Sequence, residues 1–150
     1  MMKKKTQDFP TKAASYFTKE YNCAESILMT MQEAWNIEPI TPKFATAYGG
    51  GIGRSGSVCG SVTGAILAIN LKYGRSSIDE DKEKAYNLAR EFIKSFKTEF
   101  GSEICYDLIQ CDLTDPKDRK KLVEFNILQE KCMKFVVKAV EILLEITESV

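Results

Sequence analysis

The chain has 150 residues, with 21 Lys plus Arg, 21 Asp plus Glu and no histidine. That length suits a single domain able to bury about 70% of its unfolded surface without disulfides. The balanced charge offers no basic field to nucleic acid, and the lack of histidine excludes Cys–His and Ser–His–Asp catalysis, mixed Cys/His zinc sites and His-ligated haem.

The start, Met1 to Phe9, has lysines but no apolar run behind them, so it does not read as a secretory signal. No stretch approaches the ~20 apolar residues of a membrane span, and the expected compartment is the cytoplasm, where thiols stay mostly reduced. Residues 1–10 read as a frayed terminus, with Lys3-Lys4-Lys5 as part of it. Thr11 to Lys19 reads as a short first helix capped by Thr11. Asn22 reads as the cap of a second helix, with Glu25 completing a capping box and Ala24, Ile27, Leu28, Met31 and Trp35 at helical spacing.

Thr41-Pro42 opens a short helix through Phe44 and Tyr48. It runs into a glycine loop, Gly49 to Gly56. Ser57 reads as the cap of the next helix, which buries Val58, Val62, Ala65, Ile66 and Ile69 and ends at Gly74. Ser77 or Asp79 starts a long amphipathic helix with Ala85, Leu88, Ala89, Phe92, Phe96 and Phe100 on one side, closed by Gly101 as a left-handed cap. Ser102 restarts a brief helix holding Cys105 and Leu108, and Thr114 with Asp115-Pro116 opens the last region. A helix around Leu122 either continues into or bends before a final one, whose stripe is Leu128, Cys132, Phe135, Val136, Ala139, Leu143 and Ile146. No alternating strand pattern persists, so the predicted fold is all-α, a single-domain helical bundle over residues 1–150.

Five cysteines stand out: Cys23, Cys59, Cys105, Cys111 and Cys132. Cys23 falls in the first turn of its helix, Cys59 just after the Ser57 cap, and Cys105 three residues after the Ser102 cap. Helix N-termini carry unpaired N–H groups and the positive end of the dipole. A thiolate is stabilised there and its pKa falls, which suits metal ligation or thiol exchange. Cys132 lies on an apolar stripe and is expected to point inward toward the other three. The spacing does not decide whether Cys111 joins them.

Two readings stay open. In the first, the thiols form a redox or metal centre: an iron–sulfur cluster, zinc, or a dithiol–disulfide pair. In the second, they are small buried hydrophobes in a helical binding or scaffold protein. No C-x-x-C pair is present.

The order Asn22-Cys23-Ala24-Glu25, Gly49-Gly50-Gly51-Ile52-Gly53-Arg54, Val58-Cys59-Gly60-Ser61-Val62-Thr63-Gly64-Ala65, Phe100-Gly101-Ser102-Glu103-Ile104-Cys105-Tyr106-Asp107-Leu108 and finally Cys132 resembles the C_GCAxxG_C_C family. That family's description ascribes redox activity to its members and names no substrate. The resemblance runs from about Tyr16 to about Ile146. By position it implies Cys23, Cys59, Cys105 and Cys132 as the four family cysteines, with catalytic or metal-ligating roles, and leaves Cys111 as an additional ligand candidate. Ser61 stands where the family name has alanine, and Gly64 lies one residue farther from the cysteine than that name indicates. The resemblance implies redox chemistry or a metal centre, with an iron–sulfur cluster or zinc as the cofactor candidates. A redox partner protein and a second copy of the chain are the candidate partners.

Gly51-Ile52-Gly53-Arg54-Ser55-Gly56 spells G-x-G-x-x-G, but a helix-like segment precedes it where a dinucleotide fold needs a strand. Gly51, Gly53 and Arg54 are instead candidates for cradling an anionic cofactor group or offsetting thiolate charge. Lys117-Asp118-Arg119-Lys120-Lys121 reads as a solvated helix face, Asp79, Glu80, Asp81 and Glu83 as the acidic first turn of the long helix, and neither nucleic acid nor membrane is expected as a partner.

Overall fold

The computed structural model describes residues 8–148 and 150, and among these it is helical with no strand. The elements are α1 (Phe9–Thr18), α2 (Cys23–Ala34), a 3-10 turn (Lys43–Tyr48), α3 (Gly49–Ile52), α4 (Gly60–Tyr73), α5 (Glu83–Phe100), α6 (Cys105–Ile109), α7 (Pro116–Glu124), a π turn (Leu128–Cys132) and α8 (Met133–Thr147). The all-α expectation holds. Residues 1–7, including the lysine run, lie outside the described residues.

The first helix starts before the expected Thr11. Asp8 caps it, accepting from the Thr11 amide and hydroxyl, and Pro10 sits in the first turn where its missing N–H costs nothing. The capping box of α2 forms as expected: Asn22 accepts from the Glu25 amide at 2.8 Å, and Glu25 accepts from the Asn22 amide at 3.0 Å. Gly74 and Gly101 end α4 and α5, the latter left-handed at φ +86°.

Three starts are displaced. Cys59, not Ser57, caps α4. Ser57 is held outside the helix because Val58 pairs antiparallel with Ile104, a long-range contact that no local signal carries. Ile104, not Ser102, caps α6, although the Ser102 hydroxyl accepts from the Ile104 amide at 3.0 Å. The start of α5 slips to Glu83, because upstream acids close local turns instead: the Ser76 amide donates to Glu80 and the Glu83 amide to Asp81. Side chains of this kind compete with helix for the backbone.

The bundle is α1, α2, α4, α5 and α8. α2 lies most intimately on α4, and α1 on α8. The close α2–α4 approach is set by Gly64, where a Cβ would fall 2.7 Å from the Ala24 Cα. Phe92, Phe96, Ile27, Met31, Ile69, Val136 and Leu143 are fully buried between the helices. Phe92, Phe96, Phe100 and Phe135 form an aromatic layer with ring centroids 4.8–6.1 Å apart. These spacings suit edge and offset packing, worth about 0.5–1.5 kcal/mol per pair beyond area. Leu128, placed on the last stripe by its spacing, is instead 37% exposed, since the π turn rotates it off the face that α8 buries.

A candidate thiol site

Four segments distant in sequence meet at one cavity of about 750 Å³, and Cys23, Cys59, Cys105 and Cys132 all line it. Cys23 is the first residue of α2, Cys59 the cap of α4, Cys105 the first residue of α6, and Cys132 the last residue of the π turn. Cys59, Cys105 and Cys132 are buried, whereas Cys23 keeps partial exposure, and all five cysteines are free thiols.

Local architecture explains the gathering. The Val58–Ile104 bridge ties two cysteine segments together: the Cys59 amide donates to Glu103 O at 2.8 Å, and the Cys105 amide to Ser57 O at 2.6 Å. Gly60 brings Cys23 to the start of α4, for a Cβ there would stand 3.1 Å from the Cys23 Cβ. Gly51 does the same for Cys105. A Cβ at Gly51 would meet the Cys105 Cβ at 2.6 Å, and its φ of +64° disfavours any side chain. A π turn adds one residue to a helical turn and re-aims the residues beyond it, and here it ends on Cys132.

Gly50, Gly51, Ile52, Gly53 and Arg54 all have positive φ, so the chain makes a left-handed turn before returning through the Gly51 O–Ser57 N bond at 3.1 Å. Ile52, at φ +64°, is β-branched and strained there. Gly51, Gly53 and Arg54, expected to cradle a cofactor anion, do line the cavity. What the structure shows of Gly51 is the close packing of Cys105.

The electrostatics differ from the expectation of stabilised thiolates. Burial pushes Cys59 up from 9.0 to about 12, with the charge of Cys23 next; the Ser61 and Val62 amides and the Ser61 hydroxyl act the other way. These contacts fall short of a full capping hydrogen bond. Burial likewise pushes Cys105 to about 12, aided by the charges of Cys59, Cys23 and Cys111. Cys23 is held well above the ordinary thiol range, first by hydrogen bonding with Cys132, then by burial and by the charge Cys132 would carry, while Ser61 opposes. Cys23, Cys59 and Cys105 do stand at helix starts, but burial, and for Cys23 first the neighbouring Cys132, outweighs the helix termini.

Ser61 is the residue that sequence reasoning passed over. Its Oγ is wholly buried without a full hydrogen-bond partner, yet it is close enough to Cys23 and Cys59 to favour the thiolate of each. Its sequence signals are its place two residues after Cys59 and its departure from the alanine of the family name. Cys111 goes elsewhere: it is 1% exposed and lines a second, smaller cavity with Lys121 and Lys131. Burial and Asp118 raise its pKa while those lysines oppose.

Among the described residues, no three His, Cys, Asp or Glu side chains are disposed to hold one metal ion. The four thiols in this arrangement therefore do not close around a single tetrahedral zinc ion.

Helices and cavity together define a helical protein that gathers cysteines at helix starts around one cavity. Residues 21–146 match the family described as "Putative redox-active protein (C_GCAxxG_C_C)", and the chain belongs to that family. It is also similar to an uncharacterized protein of Archaeoglobus fulgidus, 31% identical over 134 residues that cover 82% of each chain. No solved structure matches. No described helix is long and apolar enough to cross a membrane.

Proposed function

We propose that the chain, as one helical domain, is a thiol–disulfide redox protein in which Cys23 and Cys132 are the reacting pair. The supporting observation is that Cys23, at the start of α2, and Cys132, at the end of the π turn, line the same cavity close enough for one thiol to act on the other. In such a pair one sulfur ionises while the neighbour's S–H stabilises it, and two-electron oxidation joins the sulfurs with release of two protons. Cys59 and Cys105 line the same cavity but are buried, whereas Cys23 keeps partial exposure, so they serve as reserve thiols rather than as the first nucleophile. Cys111 takes no part. The cytoplasm, where thiols are kept reduced, is the compartment this chemistry suits.

The test is thiol counting and peptide mapping of the full chain after equilibration in glutathione redox buffers. The expected result is a loss of two of the five thiols, with Cys23 and Cys132 recovered in one cross-linked peptide pair. Either Cys23→Ser or Cys132→Ser should abolish that step. Five thiols remaining under oxidising buffer, or a cross-link that omits Cys23, overturns the reading. Zinc or iron bound in stoichiometric amount by the reduced protein would favour the metal centre instead.

A further inference from the structure

The cavity holds more than thiols. Its volume of about 750 Å³ is that of a small-molecule site, within the usual ~300–1,000 Å³. A protein disulfide would need an open groove, whereas three of the four cysteines here are buried within the bundle and only Cys23 keeps partial exposure. Two arginines, Arg54 from the left-handed turn and Arg119 from α7, line it against a single acid, Glu20. Among the described residues neither arginine forms a salt bridge, although Lys12, Lys97, Lys121 and Lys138 all do. Guanidinium is the side chain that best receives a carboxylate, through two parallel hydrogen bonds. Behind the wall, the fully buried Ser61 hydroxyl has no hydrogen-bond partner and is close enough to Cys23 and Cys59 to favour their thiolates.

We infer that the oxidant accepted by this cavity is a small disulfide carrying carboxylate groups, held by Arg54 and Arg119 while its sulfurs meet Cys23. This rests on the thiol–disulfide reading above. Cys23, the cysteine with exposure, attacks one sulfur of R–S–S–R as thiolate; a protein–S–S–R bond forms and RS⁻ leaves. The Cys132 thiolate then attacks the Cys23 sulfur, and the second RS⁻ leaves. The products are the Cys23–Cys132 disulfide and two R–SH once the leaving thiolates take up the two protons released. The protein is oxidised by two electrons and the small disulfide reduced by two. Ser61 donates to the Cys23 thiolate at the first step.

The experiment follows oxidation of the reduced full-length protein by three disulfides of similar size: dithiodipropionate (anionic), hydroxyethyl disulfide (neutral) and cystamine (cationic). Each rate is divided by that of the same disulfide with the urea-unfolded protein. The expected normalised ratio of dithiodipropionate to cystamine is tenfold or more, falling several-fold with added salt. In the Arg54→Gln, Arg119→Gln double variant that ratio should fall toward one. A ratio near one in the wild type, or a ratio unmoved in the double variant, overturns the inference even though the Cys23–Cys132 disulfide forms with the neutral probe. No Cys23–Cys132 disulfide with any of the three overturns the thiol–disulfide reading itself.

Discussion

Two neighbouring regions of the bundle share Phe135 and are built on opposite terms. In the aromatic layer, Phe92, Phe96 and Phe100 recur every four residues along α5 and pack on one another and on Phe135 of α8. Nothing there is polar or held in an unusual backbone conformation. In the thiol cavity, which Phe135 also lines, the chain tolerates a run of positive φ, a strained Ile52, an orphaned Ser61 hydroxyl and thiols kept protonated by burial. The first region gains by leaving no space. The second gives up packing and backbone ease to keep space open, a pattern that marks functional sites rather than stabilising ones.

The sharpest test of that contrast is truncation on each side. Phe92→Ala, at a wholly buried ring, is expected to lower unfolding free energy by about 3–5 kcal/mol. Cys23→Ser, at a partly exposed wall of an open cavity, is expected to cost under about 1.5 kcal/mol, as for a near-isosteric change. Urea midpoints read both, and equal losses would erase the distinction.

The second test uses pH. Cys59 and Cys105 are raised from 9.0 to about 12 in the fold, so the folded chain keeps protons that the unfolded chain releases in that window. Their contribution to stability is therefore whole below about pH 9 and is lost as pH climbs toward 12. Tyr16, raised from 10.0 to about 12 by burial and by its hydrogen bond to Glu33, adds a loss of the same sign. Urea titrations at pH 8 and 10.5 should show a fall that shrinks in the Cys59→Ser, Cys105→Ser variant. If the double variant falls as steeply, burial of these thiols is not the cause.

The smallest effect is a gain. Ile52→Gly removes left-handed strain of ~1–2 kcal/mol but adds the ~0.5–1 kcal/mol entropy of glycine, leaving a net stabilisation of at most about 1.5 kcal/mol. Ile52 is 41% exposed, so little burial is forfeited. A lowered thermal midpoint would show that the turn is not strained.

How much of the molecule is legible in the sequence depends on the range of each signal. The Asn22–Glu25 box and the Gly101 cap are written within a few residues and stand where the local pattern puts them. The Ser57 cap is displaced because the pairing of Val58 with Ile104 reaches across 46 positions. That the four family cysteines share one cavity agrees with the expectation from helix starts and the inward stripe, and Cys111 departs to its own pocket after the left-handed Gln110. The direction of the thiol shifts is not legible, since desolvation depends on everything packed around a sulfur and on nothing beside it in the chain. The role of Ser61 is hidden for the same reason.

The bridge between Val58 and Ile104 also has a kinetic side. Cavity walls assembled from positions 23, 59, 105 and 132 require closures of long loops, which form late relative to the local helices. The Val58–Ile104 bridge, across 46 positions, is one such closure. On the thiol–disulfide reading, a nascent chain gains its reacting pair only after these loops close, so a reducing environment during synthesis would guard the thiols until the cavity is built.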